Sequence, residues 1–495
     1  MNATLKLQVL MPRRGTNIQE MASEAVKFAQ VWRRSDIVEW VLFWTFIAGL
    51  AWVPFWYGSN ERIAWGINAV LFAGLAAIYE ISLLVRGKSH PVGIKQLKIP
   101  AALFVTVVLW IVIQNATWTP SSLHHPIWEM TADALGKFVA GSISVNRDLT
   151  TLALMRLLTV ASVFWIALQL CRNASRVNLF MISIVVIVAG YSAFGLVLFA
   201  MTPGTTIHWM GNTLSLGFVT STFYDRSHFA TYAGIGLVAM CGLILRLYGR
   251  VVAESGGSLR FKVASVIEAT GQRGAVLLAG AFLILVAILV TGSRGGLIVT
   301  GLGLLTLGVL WLGGRNIGIT GKRAILVFGT FFIAVVCLAF GNMIFSNLAD
   351  RGIADQGRLA VDVIMLRSIF DAPLLGYGYG TFVDVFPMFR DQSISVEGVW
   401  EQAHNTYLEV FQGLGLVFGS MLVACVALLV LKCVNGAINR QDSMTPRVAA
   451  SVAILVGVQA LVDFSLQIQA VTLTFMALLG AGVAQSESSR LALSD

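Results

Sequence analysis

Apolar runs near the length of a membrane span recur along the whole chain, and this recurrence constrains the fold more than any other feature. A helix needs about 20 mostly apolar residues to cross a hydrocarbon core, where every backbone polar group must be satisfied internally. Such runs lie at 37–57, 63–85, 99–117, 149–171, 177–201, 228–248, 275–291, 296–313, 324–346, 405–431, 447–464 and 468–485. The expected fold is therefore all-α, a polytopic membrane protein of about 12 transmembrane helices. Composition agrees, since 57% of the 495 residues are hydrophobic and only 12% are charged, which is far from a soluble domain. The chain divides into a cytoplasmic amphipathic segment (1–36), nine spans (37–346), a large outer loop (347–404), three further spans (405–485) and a cytoplasmic tail (486–495).

The first apolar run is long enough to span, so it reads as an uncleaved anchor and not as a signal peptide. Ahead of it, Ile18, Met21, Ala25, Phe28 and Trp32 recur at helical spacing among Arg13, Arg14, Lys27, Arg33 and Arg34. That pattern predicts a helix lying on the membrane surface, drawn by anionic lipid headgroups. Cys171, Cys241, Cys337, Cys425 and Cys433 show no CxxC spacing, so neither a disulfide framework nor a zinc site is indicated.

A net charge of +9 raises the question of nucleic acid, but in a membrane protein the location of the positive residues is the better guide. With both termini inside, 24 of the 34 Lys and Arg lie on the cytoplasmic side, nine outside, and Arg156 within a span. The opposite orientation inverts that ratio and is disfavoured. Of the nine outside, only Lys137 is a lysine; the others are Arg62, Arg147, Arg226, Arg294, Arg351, Arg358, Arg367 and Arg390. The planar guanidinium suits bidentate phosphate recognition, so an anionic ligand is expected on the outer face and nucleic acid is not.

Individual residues refine this. His404 stands where the outer segment becomes the span at 405–431, and ionisable groups near bilayer depth tend to survive where they serve a site or a partner. It is a candidate general base; a helix cap or a satisfied polar residue is the alternative, with Asn405 beside it able to cap. TGSRGG (291–296) holds Arg294 at the outer edge of the membrane. Periodicity predicts a helix over 356–370, apolar at Leu359, Val363, Leu366 and Phe370, whose apolar face packs on the spans. Arg358 at its start either meets a phosphate or pairs with Asp355 or Asp362. Phe382, Val385, Phe386 and Phe389 suggest a second short amphipathic piece. In FYDRSHFA, Asp225 or Ser227 caps a helix or the stretch contacts a headgroup. Glu80 is expected to pair with Arg86 or to snorkel, and His124 and His125 to lie in a solvated loop. The glycines of GYGYG follow a helix, not a strand, and so do not form a nucleotide-binding loop.

No DxD pair, HExxH, GxSxG or Walker A loop is present. Arginines can nonetheless stabilise a leaving pyrophosphate, and a histidine can take a proton from an acceptor hydroxyl. Together these would support glycan transfer from a lipid pyrophosphate.

TGSRGG (291–296), GRLAVDVIMLRSIFDAPLLGYGYGTF (357–382) and HNTYLEVFQGLGLVFG (404–419), in this order, resemble the O-antigen ligase and O-antigen polymerase superfamily of bacterial membrane glycosyltransferases. VDFSLQI (462–468) and FYDRSHFA look like the same group. The resemblance implies a GT-C-like fold of the inner membrane with its active site in the periplasm. It implies transfer from an undecaprenyl-pyrophosphate-linked oligosaccharide, with inversion and without metal or other cofactor, to a glycan or lipid A-core acceptor. By motif, His404 matches the catalytic histidine, and Arg294 and Arg358 match the pyrophosphate-binding arginines. Arg226, His228, Asn405 and Tyr407 are secondary candidates for substrate contact. An exopolysaccharide or O-antigen polymerase is the member the chain most resembles. The rival class is a flippase or transporter of lipid-linked saccharide, against which stands the lack of an internal repeat.

Overall fold

Apolar helices account for eleven of the twelve expected runs. They are α1 (Ile37–Trp52), α2 (Arg62–Arg86), α3 (Lys98–Asn115), α5 (Arg147–Leu170), α6 (Ala174–Met201), α7 (Arg226–Glu254), α8 (Ala275–Val290), α9 (Arg294–Gly313), α12 (Thr406–Asn439), α13 (Thr445–Gln459) and α14 (Gln469–Ser486). Three shorter helices, α4 (Ile127–Leu135), α10 (Gln356–Asp371) and α11 (Phe382–Phe389), lie between them. The structure is a computed structural model that describes residues 37–201, 207–209, 212–214, 217–254, 268, 270–313, 356–394, 399–440 and 443–486. The run at 324–346, the segment 1–36, the start of the outer loop and the tail after 486 lie outside the described residues. Eight of the described helices are long and apolar enough to cross a membrane. The chain is a multi-pass membrane protein.

It is not purely helical. Between α6 and α7, strands Ile207–Trp209 and Asn212–Leu214 pair antiparallel, with His208 opposite Thr213. Aromatic and β-branched residues such as Trp209 and Ile207 favour extended backbone in a segment too short to make another span.

Helices α7, α13 and α14 form the centre of the bundle, most residues of α13 being buried. The most apolar windows of α7 and α14 are 78% and 83% buried, against 22% to 33% for the other six long helices. Small residues allow this: a Cβ on Gly480 would lie 2.5 Å from the Phe164 carbonyl oxygen, and one on Gly482 would lie 2.4 Å from the Ala449 methyl. Without a hydrophobic drive between helices in lipid, such close backbone approach gains dispersion contact instead. Outer helices end on ordinary local signals, such as Asn146 accepting from Asp148 N at 3.0 Å at the start of α5 and Gly87 at φ 59° closing α2.

The outer segment is joined to the bundle at a break in α12. Gly415 there has φ 77° and ψ 169°, a combination open essentially to glycine. The carbonyls freed around it are taken up by the GYGYG run: Tyr377 N donates to Gln412 O and Gly378 N to Gly413 O, each at 3.0 Å. Gln114 Nε2 of α3 donates to Leu375 O and Gly413 O at 2.6 and 2.8 Å. The glycines of this run thus serve close backbone approach.

Two expectations need correction. In α10, Val361, Ile364, Met365 and Ile369 are the residues buried against the protein, while Leu359, Val363, Leu366 and Phe370 stay exposed. The helix is apolar on two sides, so period alone could not say which side faces the bundle. Glu80, expected to pair with Arg86 or to snorkel, takes other partners than Arg86: it accepts from Trp165 Nε1 at 2.6 Å and meets His90 Nε2 at 2.8 Å, while Arg86 pairs with Glu39 at 3.4 Å. His124 and His125 do not converge on one another: the first meets Thr119 Oγ1 at 3.0 Å and the second accepts from Ile127 N at 3.2 Å.

Candidate active site

His404 owes its position to a turn tied down on both sides. It precedes Asn405, whose side chain caps α12 by accepting from Leu408 N at 3.3 Å. His404 itself sits at φ 55°, a left-handed conformation that costs a non-glycine residue of the order of 1–3 kcal/mol. Surrounding contacts hold it there. Thr406 N donates to Ala460 O at 2.9 Å, which fastens the start of α12 to the turn between α13 and α14. Glu409, one turn into α12, accepts from Ala403 N at 3.3 Å and from Gln467 Nε2 at 2.6 Å, linking the residue before His404 to the same turn. Gln467 O in turn accepts from the intramembrane Arg156, whose guanidinium lies 4.2 Å from the Trp65 ring centroid.

That turn carries Asp463, which is buried. Its Oδ1 lies 3.7 Å from His404 Nδ1 and 3.6 Å from His228 Nε2. These distances exceed a direct hydrogen bond but leave the charges in close contact. Its Oδ2 accepts from Ser465 Oγ at 2.6 Å and from Gln459 Nε2 at 3.1 Å, and its Oδ1 accepts from Phe464 N at 2.9 Å. Burial opposes ionisation of Asp463, but His228, His404 and Ser465 outweigh it and hold the carboxyl well below the usual carboxylate range. The Phe464 ring separates the two imidazoles, with centroids 4.5 Å from His228 and 4.8 Å from His404. Exposure distinguishes them: the His404 side chain is 26% exposed and that of His228 only 3%. Only His404 can be reached from outside.

Arg358, on α10, donates from Nη1 to Val462 O at 3.0 Å, immediately before Asp463. It also faces Asp362, whose carboxyl burial pushes above the ordinary range while Asn405, Arg358 and His404 pull it back. Arg294 opens α9 and is half-buried. Ser293 before it donates to Ser227 Oγ at 3.2 Å, and a Cβ on Gly295 after it would lie 3.3 Å from Gln459 Oε1. The backbone of Arg294 is therefore anchored between the residue preceding His228 and the residue that holds Asp463.

The structure thus brings His404, Asn405, His228, Arg358 and the backbone of Arg294 to one end of the bundle. The other two candidates stand at the same end, in the first turns of α12 and α7, and have contacts of their own. Tyr407 donates to Gly457 O at 3.0 Å and ties α12 to α13, and the Arg226 guanidinium lies over the Phe218 ring at 3.9 Å. Asp225 caps α7, accepting from Ser227 N at 2.5 Å.

Residues 279–423 match the family model described as O-antigen ligase. Over this stretch the chain is similar to the O-antigen ligase family. The matched stretch is less than a third of the chain and holds Arg294, Arg358 and His404, but neither His228 nor Asp463. The chain has no match among curated proteins. Beyond the family motif, Asp463 and Glu409 are the residues that reading the chain for chemistry passes over. The available signal was an acid in each of two largely apolar runs, VDFSLQI and TYLEVF, since such acids near bilayer depth call for a partner.

Proposed function

We propose that this protein transfers a glycan from an undecaprenyl-pyrophosphate-linked donor to an acceptor hydroxyl at the periplasmic face of the bacterial inner membrane. The acceptor is a growing glycan or a lipid A core, making the protein a polysaccharide polymerase or an O-antigen ligase. Twelve GT-C-like spans with both termini cytoplasmic complete this reading. The carrying observation is that Asp463 lies against Nδ1 of His404. A proton on Nδ1 facing a carboxylate leaves Nε2 with its lone pair, ready to accept a proton.

In the proposed step the acceptor oxygen attacks the anomeric carbon from the side opposite the pyrophosphate. The bond between that carbon and the pyrophosphate oxygen breaks, the acceptor proton passes to His404 Nε2, and the configuration inverts. Arg294 and Arg358 take up the negative charge gained by the departing lipid pyrophosphate. In this reading two guanidiniums supply the charge stabilisation, with no metal ion required.

The test is transfer in proteoliposomes by wild type and His404→Ala, with a lipid-pyrophosphate oligosaccharide and EDTA present. The expected result is glycan transfer by the wild type alone, with a loss in the variant of about 10²- to 10⁴-fold, the usual contribution of a general base. Donor crossing the bilayer with no new glycosidic bond would favour a transporter instead. Activity lost in EDTA and restored by a divalent ion would remove the metal-free mechanism.

A further inference from the structure

The far end of the bundle contains a second place for an anion. A cavity of about 570 Å³ opens there, with Asn178, Arg246, Arg440, Ser443, Thr445 and Gln485 among its walls. Its lining comes from α6, α7, α12, α13 and α14 and the link between α12 and α13. No acidic residue lines it among the described residues. Along α7, Arg246 comes eighteen residues after His228, about 27 Å at 1.5 Å per residue and close to the thickness of a hydrocarbon core. The cavity and the histidine site therefore face opposite leaflets.

We propose that this cavity binds a phosphate-bearing anion, with the headgroup of an anionic membrane lipid as its occupant. Two guanidiniums and five neutral polar side chains line it, which matches the donor-rich surroundings a phosphate diester requires. Thr445 opens α13 and Ala174 opens α6, so the positive dipole ends of two helices are at the same wall. Both arginines also serve the fold. Arg440 Nη1 donates to Gln485 O at 2.7 Å at the end of α14, and Arg246 donates to Asn178 Oδ1. A basic pocket between helix ends at membrane depth is the setting in which lipid headgroups are recognised.

Retention of phosphatidylglycerol, phosphatidylcholine and inorganic phosphate by the purified full chain, measured by native mass spectrometry and by thermal unfolding, tests this. Ser443→Asp places a negative charge in the wall while leaving both arginines and their helix-end contacts in place, and Arg246→Gln removes one charge. The wild type is expected to retain phosphatidylglycerol over phosphatidylcholine, with either variant binding about ten-fold more weakly. Arg367→Gln, at an exposed ion pair on α10 away from both sites, should bind as the wild type does. Phosphate protection that is likewise lost in Ser443→Asp would support the anion site with a free phosphate as occupant. Equal retention of the two lipids, or undiminished binding in both variants, would overturn the proposal.

Discussion

The two ends of the bundle treat their polar groups in opposite ways. At the far end, Arg172 Nη1 donates to Ala484 O at 3.0 Å, Arg440 to Gln485 O, and Gln485 Nε2 to Cys171 O at 2.6 Å. Cations there finish the carbonyl ends of helices, as the helix dipole favours. At the histidine end, His404 Nδ1 and His228 Nε2 are buried with no hydrogen-bond partner, and His404 sits in strained backbone. A fold optimised for stability alone would satisfy those nitrogens, because a buried polar group left unmade costs about 1–3 kcal/mol. What sets the histidine end apart is the strained backbone of His404 and the two imidazoles that face one buried carboxylate.

Substituting Asp463 sharpens the contrast most. Asp463→Asn keeps the shape and removes the charge facing His404 Nδ1, so the transfer rate should fall about 10- to 100-fold, as with other residues that orient a reactive imidazole. Because the folded-state pKa of Asp463 is depressed, its stabilising contribution is present above the ordinary aspartate value of about 3.9 and is lost as pH falls through the lower folded value. The difference in thermal stability between wild type and variant should therefore stay constant from about pH 5 to 8. A difference that had already vanished at pH 5 would mean a folded-state pKa raised above the ordinary value of about 3.9, not a depressed one.

A smaller effect is expected of Arg358→Lys. The charge remains but the fork that can hold both Val462 O and a phosphate is gone, so donor turnover should fall about ten-fold. An unchanged rate and donor affinity would reduce Arg358 to a surface contact of α10. The smallest effect belongs to the far end: Arg172→Gln should lower stability by about 0.5–1.5 kcal/mol, the net worth of an ordinary hydrogen bond, with transfer per folded molecule unchanged. A large activity loss there would break the comparison, since it would make the far end part of the reaction.

Much of the fold was legible because the bilayer imposes a length. The apolar runs predicted eleven of the fourteen described helices, and Pro373 with the glycines of GYGYG marked where α10 ends. His404 was legible as a polar residue at the start of a span, and Arg294 as an arginine on the face that carries few positive residues. The partner of Glu80 was not legible, because Arg86 and His90 are both within reach in sequence and only the packing of α5 brings Trp165 to it. The exposed side of α10 was not legible either, since both of its sides are apolar and burial depends on what it is laid against.

What the sequence by itself determined is the membrane class, the order of spans and the short motifs that carry His404, Arg294 and Arg358. These follow from local rules: apolar length, caps, and the cost of charge near lipid. What only the tertiary structure decided is the site itself. Asp463 reaches His404 and His228 because Thr406 and Glu409 lash the start of α12 to the turn before α14. Contacts between residues so far apart leave no periodicity to read, and they exist only once the packing of α13 against both α7 and α14 brings their ends together.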